Sequence, residues 1–258
     1  LGLGPARTPG SGVFAGVEAL EPGCWLTFDA NGLKKGRYWT LESRPHTDDY
    51  DTTVERVREL VTGAITRQLV SDVPLCTFLS GGLDSSVITA VAARDHARRG
   101  LPPLETYSFD YTDNDKYFTP SLFQPDNDSP WVKRMVEAFH TRHRVLTCPI
   151  PELAALLSEA ARYKDLPGMA DVDASLLYFC RQVKKTHTVA LSGECADEVF
   201  GGYPWFERED LLNAPTFPWC VDLSPRSEVF APVWTGLNIE DYVNQTYADW
   251  TASTPRLA

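Results

Sequence analysis

The feature that most constrains this chain is a glycine turn between an apolar run, Pro74-Leu75-Cys76-Thr77-Phe78-Leu79, and a helix-like run from Val87 to Arg99. The turn reads Ser80-Gly81-Gly82-Leu83-Asp84-Ser85-Ser86. A strand, a glycine turn and a helix N-terminus together make a phosphate cradle. Glycines let backbone N–H groups approach an oxyanion, and the first helical turn adds unpaired donors and the positive end of its dipole. Asp84 is the odd member, because a carboxylate repels phosphates unless a divalent cation sits between them. The segment therefore predicts a magnesium-nucleotide site rather than a bare anion site. The spacing is neither Gly-x-x-x-x-Gly-Lys-Ser/Thr nor Gly-x-Gly-x-x-Gly, which removes two common nucleotide loops. Read alone, so short a cluster of serine and glycine also suits a plain turn.

A second constellation follows the apolar run Thr188-Val189-Ala190-Leu191 and reads Ser192-Gly193-Glu194-Cys195-Ala196-Asp197-Glu198-Val199-Phe200-Gly201-Gly202-Tyr203. Acids alone at this density suit a solvated turn. Paired with the first loop they suit a cation site, since loops at the carboxyl ends of strands in an open parallel sheet line one crevice.

Between the loops the pattern alternates. Val54, Val57, Leu60, Val61, Ala64, Ile65 and Leu69 keep helical spacing after Asp51-Thr52-Thr53, which offers cap candidates. Strands are expected at Leu104 to Tyr111, His143 to Cys148 and Thr188 to Leu191, beside the one before the first loop. Helices are expected from the Ser129-Pro130 pair, from Pro151 to Lys164 and from Ala174 to Lys185. Strands separated by helices imply right-handed crossovers and an α/β fold, a doubly wound parallel sheet with helices on both faces. Thr112 to Asp128 is polar and broken by Pro120 and Pro125, so it reads as a long loop on the ligand side, either a lid or a surface loop. Pro215, Pro218, Pro225 and Pro232 interrupt the C-terminal part before a weakly helical Ile239 to Ala252.

Composition excludes several functions. A net charge of -11 argues against a nucleic-acid partner, whose backbone needs clustered Lys and Arg. No apolar run approaches the roughly 18 to 20 residues of a membrane span. Cysteines at 24, 76, 148, 180, 195 and 220 form no Cys-x-x-Cys pair, as expected of reduced thiols in a soluble cytoplasmic protein. Near the start, Cys24 to Phe28 and Leu33 to Trp39 flank Asp29-Ala30-Asn31-Gly32 and read as a hairpin with an Asn-Gly turn.

The first loop resembles the pyrophosphate loop of the N-type ATP pyrophosphatases, enzymes that cut ATP between its α and β phosphates. Both loops together resemble the synthetase domain of glutamine-hydrolysing asparagine synthetases, whose second loop typically reads Ser-Gly-Glu-Gly-Ala/Ser-Asp-Glu and then Gly-Gly-Tyr. Here Cys195 replaces the second glycine of that loop. Cysteine is strained there if the position needs a positive φ, and harmless if it needs only a small side chain. Leu3 to Arg7, Gly12 to Val17 and Leu20 to Gly23 look like the tail of the family's glutaminase domain. The expected division is residues 1–47 as glutaminase-like remnant with its hairpin and linker, and 48–258 as an ATP-binding synthetase domain incomplete at its C-terminus. That glutaminase uses an N-terminal cysteine, and with no cysteine before Cys24 glutamine hydrolysis is not expected of this stretch. The family's lysine-bearing loop past this point has no match here.

The resemblance implies roles. Ser80, Ser85 and Ser86 with the N–H groups of Gly81 and Gly82 would hold pyrophosphate, Asp84 and Asp197 would bind Mg2+, and Glu194 would be a catalytic acid or base toward ammonia. Leu79, Phe109, Tyr111, Ser192 and Gly193 stand at strand ends where adenosine should lie. Asp173 is either a substrate-side carboxylate or a helix cap. The implied reaction makes a β-aspartyl adenylate from ATP and aspartate, and ammonia displaces AMP to give asparagine. A relative adenylating another carboxylate and a non-catalytic nucleotide-binding module remain alternatives. The implied partners are these small molecules and a glutaminase domain in the full-length protein, and a homo-oligomer stays open.

Overall fold

The computed structural model describes residues 3, 8–42, 44–120, 126–166, 168–228 and 236–252. The sequence features at Gly4 to Arg7, Pro125, Pro167 and Pro232 lie outside them. By its contacts the chain forms two compact units, Asp48–Pro204 and a second made of Leu1–Thr47 with Trp205–Ala258.

In the second unit, β1 (Cys24–Asp29) and β2 (Gly32–Arg37) pair antiparallel with Asp29 opposite Gly32, leaving Ala30 and Asn31 as a two-residue loop. The Asn31 N–H donates to Asp29 Oδ1 at 2.7 Å, and Gly32 takes φ +98°, a conformation glycine adopts without Cβ strain. The strand expected to reach Trp39 stops at Arg37, because the N–H groups of Tyr38 and Trp39 both turn to the Gly23 carbonyl.

The larger unit begins with α1 (Tyr50–Gln68). It starts earlier than the expected cap. The Asp49 carboxylate accepts the Thr52 N–H at 2.8 Å, and these bonds hold that carboxyl below its ordinary pKa. There follow β3 (Leu75–Phe78), α2 (Leu83–Arg98), β4 (Glu105–Tyr111), α3 (Asn114–Tyr117), α4 (Ser129–Phe139), β5 (Arg142–Cys148), α5 (Ile150–Lys164), α6 (Ala170–Val183), β6 (Val189–Leu191) and α7 (Ala196–Phe200). The expected long loop from Thr112 thus holds one short helical turn, α3, after Asp113 in the left-handed region at φ +59°. Ser129 is the first residue of α4 rather than its cap, and Asn127 Oδ1 accepts its N–H at 2.9 Å.

β3 to β6 form one sheet in the order β5-β4-β3-β6, every pair parallel. The chain runs outward from β3 through β4 to β5, then returns to the other side of β3 as β6. The order therefore reverses between β3 and β6, and a crevice opens at the carboxyl ends of these two neighbours. Helices cover both faces. Thr77 of β3 meets Thr89 of α2, hydroxyl oxygens 2.9 Å apart, while Phe78 and Phe109 point to Phe179 of α6 at ring distances of 4.5 and 5.4 Å. Cys76 and Tyr107 complete this second layer.

After the larger unit come α8 (Glu209–Leu212), α9 (Ser224–Glu228) and α10 (Ile239–Ala252), the last as expected. Val243 of α10 is fully buried with Phe217, Cys220 and Leu3, and the rings of Tyr247 and Trp250 meet Phe217 edge-on. Among the described residues no helix is long and apolar enough to cross a membrane, and no disulfide joins the six cysteines.

Candidate active site

The first loop leaves the sheet without leaving the ladder. Leu79 is fully buried, and its N–H donates to the Tyr107 carbonyl at 2.8 Å. Gly81 then takes φ +96° with its Cα hydrogen turned to α4, where a Cβ would stand 2.8 Å from the Asp128 carbonyl and 3.2 Å from Trp131 Cβ. Only glycine meets both demands. Gly82 caps α2, so Asp84, Ser85 and Ser86 occupy its first turn rather than preceding the helix. The buried Ser85 closes the loop. Its Oγ accepts the Ser80 N–H at 3.2 Å and donates to the Gly82 carbonyl at 3.1 Å, and Ser86 N–H donates to the same carbonyl. The one hydroxyl hydrogen of Ser85 is thus used within the loop, while the half-buried Ser86 follows Leu83 and Asp84, whose first-turn N–H groups have no intrahelical carbonyl.

The second loop leaves β6 beside it. A Cβ on Gly193 would lie 2.9 Å from Asp84 Cβ and 3.1 Å from the Ser85 N, so the two loops touch and glycine permits the approach. Ser192 Oγ accepts the Glu194 N–H at 3.4 Å, and Glu194 itself is exposed. Cys195 sits at φ +70° as the residue before α7, so the position does require the left-handed region, which costs an L side chain about 1 kcal/mol. Asp197 lies in the first turn of α7, and the N–H groups of Gly201 and Gly202 fold back onto its carbonyl at 2.9 and 3.1 Å. Tyr203 then donates its hydroxyl to Glu198 Oε1 at 2.8 Å. That bond first, then burial and the surrounding carboxylates, pushes the phenol up to about 12.

The electrostatics join the loops as the backbone does. Burial first, and then the charge of Asp197, pushes the Asp84 carboxyl above its ordinary range. Among the described residues no group of three or more His, Cys, Asp or Glu is arranged to hold a metal. Two carboxylates could supply part of a magnesium shell and leave the remainder to water and phosphate oxygens, which is how this ion is commonly held.

Beside the first loop a cleft of about 470 Å³ is lined by Leu79, Ser80, Phe109 and Asp110, with one face of α4 from Ser129 to Glu137. Of the residues expected around adenosine, Leu79 and Phe109 line this cleft, and Ser192 and Gly193 belong to the neighbouring loop. Tyr111 does not join them. It lines a second cleft with Pro149 and Ile150, and its hydroxyl is 2.6 Å from Ser175 Oγ of α6. Asp173 is a helix-end group: its carboxylate accepts the Met169 N–H and the Lys164 ammonium, both at 2.7 Å, and the lysine bond is the main cause of its lowered pKa. Sequence reasoning missed His143, whose Nδ1 and Nε2 stand 2.9 Å from Thr106 Oγ1 and 3.0 Å from Ser108 Oγ, and whose burial lowers its pKa. It also missed Asp110. The polar alternation Thr106, Ser108, Asp110 along β4 was the available signal.

The family model for asparagine synthase matches residues 56–256. The chain is 53% identical over all 258 residues to glutamine-hydrolysing asparagine synthetase 3 of Bacillus subtilis (strain 168), covering 42% of that protein. It is 32% identical over 203 residues to glutamine-hydrolysing asparagine synthetase 1 of the same strain, 78% of this chain and 29% of that protein. The chain thus spans less than half the length of these relatives. Among solved structures, NAD+ synthetase from Burkholderia pseudomallei aligns over 81% of this chain and 93% of that one at 14% identity and a TM-score of 0.33, an overlap that carries no argument. Two glycine loops in contact at the reversal of a parallel sheet, inside a stretch matched along most of its length, lead to one conclusion: the chain belongs to the asparagine synthase family.

Proposed function

We propose that this chain is the nucleotide-binding and adenylating part of an ATP-dependent amide ligase that converts aspartate to asparagine. The observation that carries the reading is the contact of Gly193 with Asp84 and Ser85, which puts the acid-bearing loop against the donor-bearing loop at one end of the sheet. The first-turn N–H groups of α2 and the Ser80 and Ser86 hydroxyls hold the β and γ phosphates. Asp84 and Asp197 hold Mg2+, which, when bound, offsets the charge that builds on the departing pyrophosphate. A side-chain carboxylate oxygen of aspartate attacks the α phosphorus, the bond to the bridging oxygen breaks, and pyrophosphate leaves with both electrons of that bond. Ammonia then attacks the acyl carbon and AMP departs. Glu194, exposed at the mouth of the second loop, accepts the proton that ammonia loses. Leu79 and Phe109 give the adenine apolar walls. A glutaminase domain elsewhere in the longer protein is the proposed ammonia source. The setting we assign is the cytoplasm, supported by six cysteines without a disulfide.

A relative that activates another carboxylate is favoured by one observation: Asp173, the acid in the stretch assigned to substrate, is already engaged by Lys164 and Met169. AMP and pyrophosphate release from Mg-ATP and ammonium, with and without aspartate, tests both readings. Aspartate-dependent AMP that vanishes in Asp84→Ala supports the first. AMP formed only with a different carboxylate replaces it by the second, and no AMP from folded protein removes the adenylating role of this stretch on its own.

A further inference from the structure

The cleft beside the first loop carries a division of charge that a phosphate cradle alone does not explain. β4 continues beyond Tyr107, the last residue it pairs with β3, through Ser108, Phe109, Asp110 and Tyr111. Alternation puts Thr106, Ser108 and Asp110 on one face, and on that face Thr77, the partner of Thr106, meets α2. Asp110 thus stands on the side of the sheet from which α2 and its N-terminal donors rise, and it shares the cleft with Leu79 and Ser80. It is half-buried, and its Oδ1 accepts the Tyr111 N–H at 2.8 Å, which sets the direction of the carboxylate.

The same cleft carries Asp128 and Glu137, against Lys133, whose Nζ lies 4.0 Å from Glu137. Phosphates are disfavoured among these acids and favoured at the N–H groups of the loop. What suits a carboxylate in a partly apolar cleft next to a phosphate cradle is an uncharged donor, and a nucleotide has such donors on its sugar. A carboxylate accepts hydrogen bonds only, so two adjacent hydroxyls match it. Dinucleotide-binding sheets divide the work in this way, with phosphate at the glycine turn and sugar at an acid on the neighbouring strand.

We infer that Asp110 accepts hydrogen bonds from the ribose hydroxyls of the bound nucleotide and makes the site prefer ATP to 2′-deoxy-ATP. This rests on the nucleotide reading above. The test is calorimetric titration of Mg-ATP and Mg-2′-deoxy-ATP into the full chain, into Asp110→Ala and into Asp110→Asn, which keeps an oxygen for the Tyr111 N–H. Hydrogen bonds to a charged acceptor predict an ATP preference of about tenfold in the parent chain, reduced to near unity in both variants with 2′-deoxy-ATP affinity little changed. Equal affinity for the two nucleotides in the parent chain overturns the inference, as does a preference that survives Asp110→Asn. A nucleotide preference intact in both variants, with aspartate binding weakened when aspartate is titrated in the same way, overturns the inference and assigns Asp110 to the substrate ammonium instead. Failure of the parent chain to bind either nucleotide removes the nucleotide reading itself, and this inference with it.

Discussion

The two glycine loops are built on opposite plans. The first is tied to itself: Leu79 stays in the ladder, Ser85 bonds both ends of the turn, and α4 closes over Gly81. The second is set by charge and strain. Cys195 sits in the left-handed region, Glu194 is exposed, and burial first and then the charge of Asp197 across the contact raise the pKa of Asp84. The first loop is therefore held rigid by its own bonds, as the proposed anion cradle would require. The second holds acids whose mutual cost the proposed cation would offset.

The largest effect expected from breaking this contrast is at Gly81. Gly81→Ala forces a Cβ against the Asp128 carbonyl in a conformation only glycine tolerates, and should destabilise the larger unit by about 2–3 kcal/mol, read as a lowered urea midpoint. Next comes the seam. Gly193→Ala pushes a Cβ into Asp84 Cβ and Ser85 N, and should cost about 1–2 kcal/mol of stability while weakening Mg-ATP binding roughly tenfold by calorimetry. Unchanged binding there would separate the loops functionally. Ser85→Ala strips the Ser80 N–H of its partner and should cost about 1 kcal/mol, with a faster-exchanging Ser80 amide.

Cys195→Gly works in the other direction. It relieves the left-handed strain and should raise stability by about 0.5 kcal/mol, part of the gain being lost to the greater freedom of glycine in the unfolded chain. A destabilised variant would mean that the thiol packs to advantage. The smallest effect concerns protons. The folded chain holds the Asp84 proton more tightly than the unfolded chain, so stability falls as pH rises from the ordinary aspartate value through the higher folded one. Asp84→Asn should flatten that slope in melts taken across the acid range, and an unaltered slope would show that folding does not raise the Asp84 pKa.

The same contrast explains what could be read from the residues. The loops were legible because glycine and acid at fixed spacing leave few structural alternatives, and each followed a short apolar run that is a strand. Helix starts were set late, since Asp49, Gly82 and Met169 precede the helices as caps while the polar residues after them look like loop. Asp84 to Ser86 is the clearest instance: polar in sequence, yet in the first turn of α2. Tyr111 shares a strand face with Phe109, and only the hydroxyl of Ser175, distant in sequence, draws it to another cleft. The order of strands, and so the adjacency of β3 and β6, depends on long-range pairing that no local pattern encodes.

The central claim is that the two loops form one magnesium-nucleotide site. Calorimetric titration of ATP into the full chain, with Mg2+ and with chelator, beside Asp84→Asn and Asp197→Asn, tests it most directly. The account predicts saturable binding that requires Mg2+ and weakens about tenfold or more in either variant. Binding that is equally tight without Mg2+, or that ignores Asp197→Asn, would contradict it by leaving the second loop outside the site.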